Sequence, residues 1–128
     1  MKLLDTVVII GSLSPSSALH ENSMRHLNRV SSDPDMFVPM VSILEADLVM
    51  KVRGYEFEER RSSWRALEYN IPVEKIIANS IFSINNALSL QEEGMDYFDS
   101  LITSIALEHR AAVVTTDRAI AKVVETEW

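Results

Sequence analysis

Residues 94–117, GMDYFDSLITSIALEHRAAVVTTD, combine an amphipathic helix with a short apolar strand that follows it almost directly. The helix is predicted over residues 97–109, because apolar residues recur there at the i, i+3, i+4 and i+7 spacing of one helix face. That apolar stripe consists of Phe98, Leu101, Ile102, Ile105 and Ala106. Residues 111–116 are short, apolar and rich in valine and threonine, which predicts a strand. A long helix leading into a buried strand is typical of a parallel α/β sheet.

The rest of the chain continues this alternation of strands and helices. Residues 3–10, LLDTVVII, predict a strand buried on both faces, and residues 37–41 predict a second strand. Residues 71–77 predict a turn followed by a brief extended stretch. Further helices are predicted over residues 16–30, 42–53, 55–70, 78–93 and from about Asp117. The order predicts an α/β fold of three layers over residues 1–128, a single domain with a parallel sheet of about four to five strands and helices on both faces.

Two helix details are also predicted. Ser42 followed by Glu45 matches a capping box, so the helix after the second strand is expected to begin at Ser42. In residues 78–93, Ile81, Ile84 and Leu88 share one helix face, which predicts an apolar stripe.

Composition excludes several classes of function. The chain has 128 residues and no cysteine, which excludes thiol catalysis, Cys-ligated zinc and Fe–S clusters. Its formal net charge of −7 argues against a sequence-independent binder of duplex DNA. No stretch reaches the roughly 18 apolar residues that span a bilayer, and the N-terminal apolar run does not match a signal peptide. A soluble, cytoplasmic protein without a membrane partner is therefore expected.

Five acidic residues fall where a parallel sheet collects ligands, at strand ends and at the helix starts beside them. Asp5 lies in the first strand, Glu45 lies one turn into a helix, Asp96 and Asp99 lie at the start of another, and Asp117 ends a strand. Each has an ordinary structural explanation as a cap, a capping-box residue or a first-turn acid. Together, clustered carboxylates repel one another unless a cation joins them, and oxygen-only ligands suit Mg²⁺ or Mn²⁺. This pattern indicates a metal-dependent nuclease.

Four segments resemble, in order and spacing, the four acidic blocks of PIN-domain proteins, and among these the VapC-like toxins of prokaryotic toxin–antitoxin pairs. The segments are LLDTVVII (3–10), PMVSILEADLVMKVRG (39–54), GMDYFDSLITSIALEH (94–109) and AVVTTD (112–117). The resemblance implies a PIN-like fold with about five parallel strands, and an endoribonuclease site that uses Mg²⁺ or Mn²⁺. It also implies an RNA substrate, a VapB-like antitoxin as partner, and a homodimer or higher homo-oligomer.

The resemblance assigns roles to individual residues. Asp5, Glu45, Asp99 and Asp117 take the four acidic places, as catalytic residues and metal ligands. Asp99 is selected over Asp96 because it precedes the Ser-Leu-Ile segment. Thr115 stands where many members have a serine or threonine beside the last acid, and it is expected to support the site together with Thr6, which follows Asp5, and Asp96.

Three departures from the family pattern favour an alternative function, a catalytically weak PIN-like module that acts by binding protein. Val7 stands where many members have asparagine, and the aromatic residue often found after the last acid is missing from residues 118–121. The chain also ends at Trp128, which leaves little room for a fifth strand. A phosphatase is a poorer alternative, because residues 5–13 contain neither an Asp-x-Asp pair nor a glycine-rich phosphate loop.

Residues 51–65 carry a net charge of +2, five positive against three negative, in an otherwise acidic chain. Arg60, Arg61 and Trp64 are candidate substrate-binding residues at the rim of an RNA path, since an indole ring can stack on a base. The same segment resembles the region that binds an antitoxin or a second subunit in the family. His20, His26 and His109 show no ligand spacing with the acids and are expected at the surface or at helix ends.

Overall fold

The computed structural model describes all 128 residues and contains one five-stranded parallel sheet. Its strands are β1 (Lys2–Leu4), β2 (Met36–Pro39), β3 (Ile76–Ile77), β4 (Ala112–Val114) and β5 (Thr126–Glu127). Their order across the sheet is β3-β2-β1-β4-β5, with every neighbouring pair parallel. The helices are α1 (Thr6–Ser12), α2 (His20–Leu27), α3 (Met40–Val52), α4 (Phe57–Glu68), α5 (Ile81–Glu92), α6 (Tyr97–His109) and α7 (Arg118–Ala121), with a 3₁₀ turn at Val73–Lys75.

Alternation along the strands divides the core into two clusters, one on each face of the sheet. Leu4 and Val114 pack into a cluster with α1, α2 and α4. Their neighbours Leu3 and Val113 pack into a second cluster with α5 and α6. The predicted three-layer α/β architecture is thereby confirmed, and the helix predicted over residues 97–109 coincides with α6. None of the helices is both long and apolar enough to cross a membrane.

The strand predicted over residues 3–10 is wrong in its second half. β1 ends at Leu4, and α1 begins at Thr6, whose backbone N–H donates to the Asp5 side chain over 2.7 Å. A short apolar run does not by itself distinguish a strand from a buried helix. Burial of Val8 and Ile9 in the core, together with the Asp5 cap, outweighs the β-propensity of these residues.

The predicted capping box at Ser42 is also wrong. α3 begins two residues earlier, at Met40 after Pro39, and the Ser42 hydroxyl is buried without a hydrogen-bond partner. The capping box lies instead on α4, where Glu56 and Glu59 exchange side-chain and backbone hydrogen bonds. Proline fixes the backbone that leads into a helix without any side-chain cap, which explains why α3 starts without help from Ser42.

The C-terminal segment contains the fifth strand for which the sequence left little room. β5 pairs with β4 through Thr126 and Glu127, and Lys2 forms a salt bridge to Glu127 across the sheet. The Trp128 ring lies 5.8 Å from the ring of His26, which lies in the last turn of α2, one of the two expected places, but is buried at 3% exposure. Two paired residues are therefore enough to complete the sheet.

Arg110 ends α6 in the left-handed conformation, with φ 51° and ψ 43°. Glycine adopts this conformation without the steric penalty of a Cβ atom. We expect Arg110→Gly to raise the free energy of unfolding by about 0.5–1 kcal/mol, measured by urea denaturation. Arg110→Ala serves as the control, because alanine keeps the penalty. Equal stabilisation by both variants would assign the effect to loss of the side chain and contradict the backbone explanation.

Candidate active site

The fold brings acidic side chains from four chain segments to the carboxyl end of the two central strands. Asp5 directly follows β1, and its backbone N–H continues the ladder to Val114 of β4. Asp117 follows β4 and caps α7 through a 2.9 Å hydrogen bond from the Ile120 N–H. Glu45 comes from α3, and Asp99 comes from the first turn of α6.

Two threonines link three of these acids by hydrogen bonds. The Thr115 hydroxyl donates to Asp5 Oδ2 over 2.6 Å and accepts from the Asp117 backbone N–H over 2.9 Å. The Thr6 backbone N–H donates to Asp5 Oδ1, and the Thr6 hydroxyl donates to Glu45 Oε1. Asp5 is buried and both of its carboxylate oxygens are engaged, so its orientation is fixed.

Asp99 differs from these acids because it makes no side-chain hydrogen bond, although it is half-buried. Burial is the main cause that raises its pKa to about 7, and the charges of the neighbouring acids add to the effect. Those neighbours, in decreasing order of influence, are Asp117, Asp5, Glu45 and Asp96. An acid in this environment holds its proton near neutral pH unless a cation offsets the surrounding negative charge.

Burial also raises the pKa of Glu45 and of Asp5. For Glu45, the hydrogen bond from Thr6 opposes the shift, while the charges of Asp5 and Asp117 add to it. For Asp5, the hydrogen bonds from Thr115 and Thr6 oppose it. None of the salt bridges in the structure involves any of these acids. The protein itself therefore leaves the repulsion within the site without a compensating cation.

The chemistry of the donors fits a hard divalent ion, while their positions do not yet form a closed ligand set. No three acidic or histidine side chains lie close enough together to hold a metal ion as they stand. Carboxylate oxygens are the preferred ligands of Mg²⁺ and Mn²⁺, and no hydrogen bond holds the Asp99 carboxyl group in its present position. Binding of an ion would thus require side-chain rotation at one or more of the acids.

Asp96 is the exposed N-terminal cap residue of α6, and its side chain makes no cap hydrogen bond. Its charge acts on both Asp99 and Glu45. It therefore borders the acidic site and contributes to its negative potential.

Arg60, Arg61 and Trp64 lie on a different side of α3 from the acids. Arg60 and the Trp64 indole both donate to Asp47, at 2.6 Å for the closest guanidinium contact and 2.9 Å for the indole. Asp47 follows Glu45 by two residues, which turns its side chain by about 200° around the helix axis. Arg61 pairs with Glu58. The structure does not bring these three residues together with the acidic site.

These residues instead line a groove of about 650 Å³ between α3 and α4 that sequence reasoning missed. Its apolar lining consists of Ile43, Phe57, Trp64, Leu67, Ile71 and Ile76. Its charged lining consists of Asp47, Arg60, Arg61, Arg65 and Glu68. No short-range pattern connects Asp47 with Arg60 and Trp64, which are 13 and 17 residues away.

A second surface not anticipated from the sequence is apolar and exposed. The predicted stripe of α5 faces solvent, with Ile81 85%, Ile84 42% and Leu88 50% exposed. Leu44 and Leu48 of α3 are likewise exposed, and both α3 and α5 pack against α6. We call the exposed α5 stripe of Ile81, Ile84 and Leu88 the apolar face.

The chain is an α/β domain with acids clustered at the ends of its central strands. In this class of domain, the ligand site lies at the carboxyl ends of the parallel strands. The family model of the PIN domain matches residues 2–125, and the chain belongs to the PIN-domain family. Members of this family are generally nucleases, and they typically bind divalent metals.

Solved structures of toxin–antitoxin complexes have the same fold at low sequence identity. The chain is similar to FitAcB from Neisseria gonorrhoeae, with a TM-score of 0.74 and 17% identity over 98% of this chain and 96% of that one. It is similar to VapBC2 from Rickettsia felis bound to a promoter DNA fragment, with a TM-score of 0.72 and 16% identity over 99% of this chain and 98% of that one. It is also similar to a toxin–antitoxin complex from Klebsiella pneumoniae, with a TM-score of 0.68 and 17% identity over 100% of this chain and 97% of that one. No curated protein sequence matches the chain significantly.

Proposed function

We propose that this protein is an endoribonuclease that depends on Mg²⁺ or Mn²⁺ and acts as a VapC-like toxin. The observation that carries the proposal is Asp99, a half-buried acid without a hydrogen-bond partner whose neighbours are other acids. Such an arrangement is costly for the free protein and becomes favourable when a cation binds. Membership of the PIN-domain family and the toxin–antitoxin neighbours support this choice over other uses of an acidic site.

In the proposed mechanism, Asp5, Glu45, Asp99 and Asp117 would hold the ion directly or through water. Bound there, the ion would supply Lewis-acid activation of water and would neutralise charge on a phosphodiester. The chain contributes the geometry. Thr115 fixes Asp5 relative to Asp117, and the Asp117 carboxylate is held by its cap of α7. Asp96 adds negative charge at the border of the site, which favours cations.

We further propose that the groove between α3 and α4 receives a VapB-like antitoxin. The similar structure from Klebsiella pneumoniae is described as a toxin–antitoxin complex, which supports a protein partner. The groove has an apolar lining and three arginines, so it suits an amphipathic segment with acidic residues. The groove combines six apolar side chains, Trp64 among them, with the arginines, and this mixture favours a protein segment over RNA as the partner of Arg60, Arg61 and Trp64.

We also propose that the protein forms a homodimer through the apolar face. Isolated exposed apolar residues are common, but Ile81, Ile84 and Leu88 form an exposed stripe along α5, and such a grouped apolar surface marks an interaction surface. A second copy of the chain covers such a surface without requiring any further partner.

The alternative is a PIN-like module that binds protein and has lost its metal. The acids lie at one end of the sheet but are not close enough to hold an ion as they stand, and this favours the alternative. Valine in place of asparagine at position 7 does not support this alternative, because the Val7 side chain packs against the core cluster of α1 and α2. The two functions differ in whether the acids bind an ion.

Calorimetric titration with Mn²⁺ distinguishes them without any knowledge of the RNA. We expect the wild-type protein to bind, and Asp5→Asn to lower the affinity by at least ~100-fold, beyond the loss caused by changing an outer-shell partner. Asp35→Asn is the matched control, because Asp35 is an exposed acid that directly precedes β2. It therefore lies at the amino ends of the strands, opposite the acidic site. A folded wild type that binds no Mn²⁺, or an Asp5 variant that binds like the control, would contradict the nuclease.

A further inference from the structure

We infer that Thr6 is a positioning residue that fixes the Glu45 carboxylate beside Asp5. This inference rests on the proposed metal centre for its functional meaning, while the contact itself belongs to the protein alone. Thr6 and Glu45 are 39 residues apart in sequence and lie on α1 and α3. Of the acids proposed to hold the ion, Glu45 has the longest side chain, and the bond from Thr6 is its only side-chain hydrogen bond.

Thr6 has two donors, and the structure uses both on acids. Its backbone N–H donates to Asp5 Oδ1, and its hydroxyl donates to Glu45 Oε1. The Ser42 carbonyl oxygen is a second acceptor for the hydroxyl, but it lies 3.5 Å away, at the limit of a hydrogen bond. Because one hydroxyl has one proton, the shorter contact determines that Glu45 receives it.

Burial makes this contact effective. Thr6 is 7% exposed, so water does not readily replace its hydroxyl as the partner of Glu45. The charges of Asp5, Asp117 and Asp96 all act on Glu45, and like charges favour its movement away from the site. A glutamate side chain also loses considerable rotamer freedom when it is held in one position. Thr6 opposes both tendencies before any ion arrives.

Substitution of Thr6 by valine tests the inference, because valine keeps the β-branched shape and the backbone bond to Asp5 while removing the hydroxyl. We expect the Mn²⁺ affinity to fall by about tenfold, as for other outer-shell partners of metal ligands. Thr6→Ser restores the donor and is expected to restore the affinity. Thr116→Val is the matched control, because Thr116 is exposed and its hydroxyl makes no hydrogen bond in the structure.

A double-mutant cycle shows whether Thr6 acts through Glu45. In a Glu45→Ala background, Thr6→Val is expected to cause no further loss of Mn²⁺ affinity. The inference is overturned if valine lowers the affinity equally in both backgrounds, or if Thr6→Val binds Mn²⁺ like the wild type.

The same double-mutant cycle can be measured without metal, from the urea concentration at the midpoint of unfolding. This second cycle tests the Thr6–Glu45 hydrogen bond independently of Mn²⁺ binding. Non-additive shifts there support the Thr6–Glu45 bond, and additive shifts overturn it. A wild type without Mn²⁺ binding would refute the proposed metal centre, and the metal-free cycle would still decide the positioning role.

Discussion

Replacement of Asp99 by asparagine is expected to abolish metal-dependent RNA cleavage and, at the same time, to stabilise the metal-free protein at neutral pH. The variant loses a charged ligand of the proposed ion, which we expect to lower the rate by at least ~100-fold. It also loses a carboxyl group whose ionisation is opposed by burial and by the charges of Asp117 and Asp5. A gain in stability together with a loss of activity is typical of residues in functional sites.

The pH dependence follows from the pKa of Asp99, which is about 7 in the folded protein and 3.8 for an unperturbed group. Between these values the folded state binds a proton that the unfolded state has released, so stability falls as the pH rises from about 4 to about 7. The asparagine variant has no such loss. After allowance for the partial exposure of Asp99, we expect the free energy of unfolding of the variant to exceed that of the wild type by about 1–2 kcal/mol above pH 7. Near pH 4 the two free energies are expected to be equal.

Urea denaturation of metal-free wild type and Asp99→Asn at pH 4 and pH 8 measures this difference. His26, whose pKa is lowered mainly by burial, reduces stability as the pH falls below about 6.5, the opposite direction. It contributes equally to both proteins and cancels in the comparison. Glu93→Gln, which removes an exposed acid from the end of α5, is the control for a change of net charge. Equal stability at pH 8, or retained cleavage, would contradict the role of Asp99.

The sequence predicted the parts of the fold whose local signal agrees with the tertiary structure. α6 has both a helical apolar stripe and a buried environment, so its bounds could be read directly. The acids were found because strand ends in a parallel sheet converge by geometry. Residues 6–10 were misassigned because a run of valine and isoleucine fits a strand or a buried helix equally well, and only packing against α2 and α3 decides between them.

The groove and the apolar face show a second limit of sequence reasoning. Periodicity located the stripe of Ile81, Ile84 and Leu88, but it did not reveal whether the stripe faces the core or the solvent. In α5 it is the small residues Ser83 and Ala87 that are buried, because α5 packs closely on α6. Likewise, the charges of residues 51–65 were visible, while the Asp47 partner that neutralises Arg60 lies outside that segment.

The apolar face leads to the second large effect, the loss of the proposed dimer. Ile81 and Leu88 lie on the same side of α5, since seven residues make nearly two helical turns. An exposed isoleucine and leucine gain by burial against a second copy, whereas a buried glutamate without a partner is costly. We therefore expect Ile81→Glu combined with Leu88→Glu to raise the dissociation constant of the dimer by at least ~100-fold.

Sedimentation equilibrium measures this change, with the wild type expected at twice the chain mass of 14.5 kDa and the double variant at the monomer mass. Tyr69→Glu is the matched control: Tyr69 is 93% exposed, and it follows α4, which packs on the other face of the sheet. The control is expected to remain dimeric, because its substitution adds a negative charge away from the apolar face. A monomeric wild type would refute the dimer itself. A double variant as dimeric as the control would show that the two copies meet through another surface, since charges buried in the interface are incompatible with tight association.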